Sequence, residues 1–156
     1  MKSPCPARSF TVQYLLLVFV LSLFACSKPK PDDQQIMDSL SAMSQAVKNR
    51  QNANLMNYLT SDFRGQQRLY KSDMNTLVFY QFRAYKKPGA VLSRVDIKVK
   101  DGQASVTAYL LLTGTDAVVP QGGRLLKVES NWRKEKDQWR VFRATWQDVV
   151  GEQRSP

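Results

Sequence analysis

Apolar positions in residues 34–50 repeat with the period of an α-helix. They recur at spacings of four, three and four residues: Ile36, Leu40, Met43 and Val47. This spacing places them on one face of a helix whose other face is polar. Asp32 and Asp33 suit the positive end of a helix dipole and Lys48 suits the negative end. The pattern predicts a long amphipathic helix that packs on a core.

Two shorter helical segments follow. Asn54–Leu59 places Leu55 and Leu59 on one side, and the polar run 60–62 is expected to end that helix. Ser72 and Asp73 resemble an N-cap, and the third helix is expected to carry its apolar positions toward the core. Those positions are Leu77, Phe79, Tyr80 and Ala84. Residues 86–89, Lys-Lys-Pro-Gly, should stop this helix.

After Gly89 the apolar period falls to two, which is typical of strands with one buried face. Alternating segments cover about 94–100, 104–112, 126–133 and 139–146, and Asp101–Gly102 and Lys136–Asp137 supply turns. A longer loop is expected to end near Gly123. The sequence therefore predicts an α+β fold in which three N-terminal helices pack on a curved antiparallel sheet of four or more strands.

The start of the chain is a targeting segment. Lys2 and Arg8 precede a run of 12 uncharged residues at 14–25, which matches a signal-peptide core and falls short of the ~20 residues of a membrane-spanning helix. Its end, Leu23-Phe-Ala25-Cys26, resembles the lipobox of bacterial lipoproteins. The resemblance implies cleavage after Ala25 and lipidation of Cys26. A plain secretory signal or an uncleaved anchor is the alternative.

The lipobox resemblance also implies a location. An Asp directly after the lipidated Cys commonly retains such lipoproteins at the inner membrane, and Ser27 stands at that position here. We therefore expect an outer-membrane lipoprotein that faces the periplasm, attached through Cys26. The predicted divisions are a signal peptide over 1–25, a lipidated tether over 26–33, a domain over 34–148 and a loose tail over 149–156.

Residues 34–148 resemble the nuclear transport factor 2-like superfamily, also called SnoaL-like or the α+β cone fold, one of the cystatin-like folds. The resemblance rests on the helix 54–63, Asn-Leu-Met-Asn-Tyr-Leu-Thr-Ser-Asp-Phe, and on the paired segments 128–134 and 139–146 with their Trp and Arg residues. It implies a pocket between helices and sheet, and often dimers that pair through their sheets. Members of this superfamily differ in activity, so the fold does not decide the function.

The candidate pocket residues follow from these segments. Asp62 is the best-placed carboxylate for a cavity rim, although a turn residue is the alternative. Tyr58 and Tyr80 could bond a ligand or simply pack. Arg143 falls in phase with the inward Trp139, unless a bulge turns it outward. Trp132, Trp139 and Trp146 could form a sugar platform, but the alternation of Trp132 and Trp139 with aliphatic residues favours core packing.

Composition narrows the function further. The chain has 23 Lys and Arg, 13 Asp and Glu, two Cys and no His, which excludes His-based catalysis and leaves no evident metal site or cofactor. Removal of residues 1–25 would also remove Cys5 and leave a formal charge of +8. An envelope location argues against nucleic acid as the partner. An anionic membrane surface fits better, although a merely solvated surface is the alternative. The candidate cations are Lys28, Lys30, Arg64, Arg68, Lys71, Lys86 and Lys87.

These observations favour a lipid-anchored envelope module that binds or assembles without catalysis. Its expected partners are the membrane, a small apolar ligand and a second copy paired through the sheet. An isomerase- or dehydratase-type enzyme of the same superfamily is the alternative, and a binder of peptidoglycan or lipopolysaccharide is a third possibility.

Overall fold

Two helices and a strand open the domain in the computed structural model, which describes residues 29–116 and 119–149. Helix α1 spans Asp32–Lys48 and helix α2 spans Asn52–Asn57. The chain continues as strand β1, Leu59–Gly65. The proposed cleavage site at Ala25, the lipidation site Cys26, Lys28 and the end of the tail from 150 lie outside the described residues.

The remaining elements are a short 3-10 helix at Gln66–Arg68, one α-helix and four long strands. Helix α3 spans Lys71–Ala84. Strand β2 covers Lys87–Lys100 and β3 covers Gln103–Asp116. Strand β4 runs over Val119–Glu135 and β5 over Gln138–Asp148. The α+β fold class, with the helices on the N-terminal side of the sheet, is confirmed.

Helix α1 forms as its pattern predicts. Asp32 and Asp33 lie in the first turn and Lys48 in the last, where they complement the helix dipole. Ile36 and Leu40 are buried in the core, and Met43 packs against its margin. The amphipathic spacing therefore identified the correct buried face.

The prediction that the second helix continues to Leu59 is wrong. Helix α2 ends at Asn57 and the next residues form β1, which pairs in parallel with β5. The Val141 N–H donates to the Tyr58 carbonyl at 2.8 Å, so the chain is already extended where the strand begins. Phe63 is buried in the core. The sheet is therefore mixed, whereas we expected an antiparallel one.

The third helix starts one residue before the expected cap. Tyr70 is the N-cap residue, and its N–H donates to the Asp73 carboxylate at 2.8 Å. The buried face is also different from the prediction, because Phe82 is buried while Leu77, Phe79 and Tyr80 are exposed. Apolar residues occur on all sides of α3 itself, so the sequence alone did not define which side packs against the core.

The sheet has five strands in the order β1-β5-β4-β3-β2. Its hairpins turn at Asp101–Gly102 and Lys136–Asp137, and these four residues have positive φ. Strand β4 starts at Val119, so the region before Gly123 is strand and the expected loop is wrong. Strand β2 is also longer than the predicted alternating segment 94–100, because it already begins at Lys87.

Two irregularities in strand pairing affect the shape of the sheet. One lies between Ser93 and Asp96 on β2. The other lies on β5, where Trp132 pairs with Val141 but the preceding residue Asn131 pairs with Arg143. Phe142 is thus an extra residue, and a bulge of this kind bends a strand and changes the face its side chains occupy.

Candidate ligand-binding cavity

A cavity of about 640 Å³ lies between the helices and the inner face of the sheet. Leu40 and Met43 line it from α1, and Val78 and Phe82 line it from α3. The opposite wall is formed by inward side chains of β2 to β5. The helices therefore cover the sheet without filling the space above it.

The deep end of the cavity is closed by core residues. Trp132 is 1% exposed and Phe63 and Val106 are also buried. The Trp132 indole Nε1–H donates to Ser130 Oγ at 2.9 Å, which satisfies a polar group that would otherwise be costly to bury. Trp132 thus forms an apolar floor with its one donor occupied.

The mouth of the cavity lies at the other end of the strands. Among its lining residues, Gln81, Thr113 and Arg124 are exposed and Tyr85 and Gly114 are partly exposed; Leu77, one turn before Gln81 on α3, is exposed as well. Tyr85 packs close to Gly114, where an added Cβ would lie 2.5 Å from the Tyr85 ring. A side chain at position 114 would displace Tyr85, so Gly114 is required for the present shape of the rim.

An ion pair holds the Arg124 side chain at this mouth. Arg124 Nε lies 2.5 Å from Asp148 Oδ1, and Arg124 Nη2 donates to Oδ2 at 2.7 Å. This bond pattern is bidentate, the geometry in which a guanidinium binds a carboxylate best. It keeps the pKa of Asp148 below its usual value.

The predicted candidate Asp62 does not line the cavity. It lies on β1 with an exposed side chain and forms two hydrogen bonds with Arg133, at 2.6 and 3.1 Å. Arg133 also binds Glu135, so the carboxylate belongs to an ion-pair network. The role suggested for Asp62 at a cavity rim is therefore wrong, as is its placement in a turn after a helix.

The Asp62–Arg133 pair makes stability depend on acidity. The hydrogen bonds from Arg133 hold the pKa of Asp62 at about 2, below the ordinary 3.8. A lowered pKa in the folded state stabilises the fold above the unfolded value, and that contribution disappears as the pH falls through the folded value. We expect Asp62→Asn to remove the part of the acid destabilisation that develops between about pH 4 and pH 2. Urea unfolding of both proteins across this range measures the effect, and identical pH profiles would contradict it.

The two tyrosine candidates also lie outside the cavity. Tyr80 is 64% exposed on α3, and Tyr58 caps α2 and lines a second, more polar pocket of about 900 Å³ next to Trp139. Their predicted orientation toward the sheet pocket is wrong. Helix α2 ends before Tyr58, and α3 packs through Phe82 on a different face, which explains both errors.

Arg143 faces outward because the extra residue Phe142 changes the strand phase. Trp139 and Val141 are buried, Arg143 is exposed, and Ala144 and Trp146 line the cavity instead. Of the two predicted orientations of Arg143, the structure therefore has the outward one, which a bulge produces. Trp139 packs in the core with its Nε1–H donating to Asp32 at 3.1 Å, so neither it nor Trp132 presents a face to a sugar.

The predicted surface cations differ in their environments. The Lys71 ammonium donates to the Leu59 carbonyl at 2.8 Å, and partial burial lowers its pKa. Arg64 donates to the Asp62 and Phe63 carbonyls and stacks 4.3 Å from the ring centre of Tyr70. Both side chains therefore make contacts within the domain, and their role at an anionic surface stays a prediction. Exposed residues include Lys30, Arg68, Lys86 and Lys87.

The sequence pattern did not reveal the two residues that shape the mouth. Arg124 is two residues before Leu126, in phase with the inward positions of β4, but the expected loop concealed this. Asp148 lies at the end of β5, where the expected domain also ended. Continuing the alternation backward from Leu126 would have found Arg124.

Among residues 29–116 and 119–149, no group of three or more His, Cys, Asp or Glu side chains could hold a metal ion. No helix in residues 29–116 and 119–149 is long and apolar enough to cross a membrane.

Comparison with solved structures identifies the architecture. A nuclear transport factor 2-like (NTF2-like) protein with a cystatin-like fold from Novosphingobium aromaticivorans has a TM-score of 0.65, with 11% identity over 97% of this chain and 95% of that one. A cystatin-like protein of unknown function from Nostoc punctiforme has a TM-score of 0.62, with 14% identity over 77% and 92%. The fold is cystatin-like.

A third neighbour of this cystatin-like fold has a named activity class. It is a candidate dehydratase of the NTF2-like family from Streptomyces avermitilis, with a TM-score of 0.65 and 15% identity over 77% of this chain and 97% of that one. No family model and no curated protein matches the chain. At such identities the shared property is the fold, and the activity belongs to the neighbour.

Proposed function

We propose that this cystatin-like domain binds a small, mainly apolar ligand in its cavity, as a non-catalytic module held at the bacterial envelope by a lipid on Cys26. The observation that carries the binding role is a cavity of about 640 Å³ that is open at one end and lined largely by aliphatic and aromatic side chains. Ligand pockets of proteins commonly have ~300–1,000 Å³ and this kind of lining.

The size of the cavity indicates the size of its ligand. An engineered apolar cavity of ~150 Å³ binds benzene, and this cavity is about four times larger at about 640 Å³. Aliphatic side chains such as Leu110 and Val128 offer water few hydrogen bonds. Displacing that water with hydrocarbon is favourable, by roughly 25 cal/mol for each Å² of apolar surface buried.

The enzyme alternative requires an acid or base that faces the cavity. Among the lining side chains that the structure describes, none is a carboxylate, and the chain contains no His. Asp62 and Arg143, the two charged candidates, face elsewhere. The geometry therefore supports binding better than proton transfer.

Other parts of the proposal come from the sequence. Lipidation of Cys26, the outer-membrane location and contact with an anionic surface or lipopolysaccharide stay predictions. So does a dimer through the sheet, for which the outer face offers an apolar row over neighbouring strands. In that row, Val91 pairs with Leu111 and Leu111 with Leu125.

Filling the cavity tests the binding role. Ala144 lines the cavity, whereas the adjacent Thr145 is exposed on the other face of β5. We expect Ala144→Phe to weaken binding of the uncharged fluorescent probe N-phenyl-1-naphthylamine at least about tenfold, because the added ring occupies the space of the ligand. Probe titration of residues 27–156 measures this, since Pro31–Pro156 is a compact unit.

Thr145→Phe is the matched control, because it adds the same ring one residue away on the outer face. It should bind the probe as the unmodified chain does, and circular dichroism should show that both variants are folded. If the unmodified domain does not bind the probe, or if folded Ala144→Phe binds it equally well, the proposed function is wrong.

A further inference from the structure

We infer that the ligand is an amphiphile with one hydrocarbon chain and an anionic head group, and that Arg124 binds the head group at the mouth. This inference rests on the proposed function. It names the chemical class of the ligand from the position of one charged side chain.

Arg124 is the only charged residue among the described residues that line the cavity. Its side chain is 61% exposed, so it lies where the cavity meets solvent, whereas Trp132 closes the other end. The two residues are eight positions apart on β4, which spans at most about 26 Å at ~3.3 Å per residue. One acyl chain occupies about half of the ~30 Å hydrocarbon core of a bilayer. A single chain therefore fits between them.

The ion pair with Asp148 leaves part of the guanidinium available to an anion. Asp148 binds the Nε and Nη2 atoms of Arg124, and no described residue is seen to bind Nη1. A guanidinium offers five N–H donors in a planar fork that suits carboxylate or phosphate oxygens. Asp148 thus offsets part of the charge of Arg124, while donors remain for a ligand.

Further cations surround this mouth. Exposed Lys86 and Lys87 lie between the lining residues Tyr85 and Pro88, and exposed Arg83 follows the lining residue Phe82. Arg50 donates to the Phe82 carbonyl and so lies at the same end. These cations outnumber the Asp148 carboxylate at the mouth, and an excess of charge of one sign concentrates ligands of the opposite sign. The arrangement favours an anionic head over a neutral or cationic one.

Three ligands with the same chain separate the head group from the hydrocarbon. Palmitate, hexadecyl phosphate and hexadecanol are titrated against residues 27–156 below their aggregation concentrations, by displacement of N-phenyl-1-naphthylamine. We expect at least one of the anions to bind about fivefold or more tighter than hexadecanol. The anion that binds more tightly distinguishes a carboxylate ligand from a phosphate ligand. High salt should reduce the preference, because the mouth is exposed.

Two variants at the ion pair have effects of opposite sign. Arg124→Gln should abolish the preference for anions while leaving hexadecanol binding unchanged. Asp148→Asn leaves Arg124 uncompensated and should strengthen anion binding severalfold, which loss of structure would not do. The control Lys98→Gln removes an exposed cation of β2 that pairs with Asp96, and it should change neither affinity.

Equal affinity of the unmodified domain for all three ligands would overturn the head-group inference and leave the apolar binding site intact. An unchanged anion preference in Arg124→Gln, or weaker anion binding in Asp148→Asn, would also overturn it. Failure of all three ligands and of the probe to bind would instead refute the proposed function.

Discussion

Replacing Trp132 by alanine is expected to lower the free energy of unfolding by about 3–5 kcal/mol, the usual cost of deleting a large buried aromatic side chain. Trp132 is 1% exposed and belongs to the main core cluster together with Phe63 and Val141. The substitution also leaves Ser130 without the indole donor. Because domains of this size are stable by only about 5–15 kcal/mol, the variant should be close to unfolding at 37 °C.

Urea unfolding followed by circular dichroism measures this loss. Trp132→Phe retains most of the apolar volume and should cost less than the alanine variant. Phe79→Ala removes a ring of comparable size from an exposed position on α3, so its effect should remain within about 0.5 kcal/mol. A loss below 1 kcal/mol for Trp132→Ala would show that the cavity floor is not part of the stabilising core.

Replacing Cys26 by serine is expected to abolish lipid attachment completely. In the proposed lipoprotein the Cys26 thiol is the group that takes the diacylglycerol, and a hydroxyl at that position does not replace it. Since each buried methylene contributes ~0.8 kcal/mol to membrane binding, loss of the acyl chains should release the domain from the membrane or leave an uncleaved precursor. Labelling of growing bacteria with radioactive palmitate, followed by fractionation, measures both outcomes.

The chain contains its own control for this experiment. Cys5 is the other cysteine and precedes the apolar run of the signal, so Cys5→Ser should leave labelling, cleavage and membrane association unchanged. Palmitate labelling of Cys26→Ser at the level of the unmodified protein would contradict the proposed anchor. Loss of labelling in Cys5→Ser would show that the acyl chain is attached to Cys5, which would also contradict the proposed anchor.

The sequence predicted those elements whose pattern is local. The amphipathic spacing of α1 and the period-two alternation of β3 and β4 each identified a buried face. The hairpin turns at Asp101–Gly102 and Lys136–Asp137 also formed where expected, with positive φ at all four residues. In each case the residues of the element itself determine its buried face or the position of its turn.

Features that depend on a partner distant in the chain were not predictable in this way. Strand β1 exists because its backbone pairs with β5, about 80 residues later, and residues 59–65 alone fit a helix end equally well. The direction of Arg143 depends on the extra residue Phe142, so the sequence left two orientations open. The mouth of the cavity depends on Arg124 and Asp148, which meet only when β4 and β5 pair.

The closed end of the cavity is also the end where the domain begins. Asp32, the first residue of α1, bonds Lys134 and Trp139 beyond the cavity floor, and α1 then extends for 17 residues, about 25 Å at ~1.5 Å per residue. The opening therefore lies at the end of α1 that is remote from the residue where the domain begins. In the proposed complex the hydrocarbon tail of the ligand thus points toward the start of α1, and its head group points away from it.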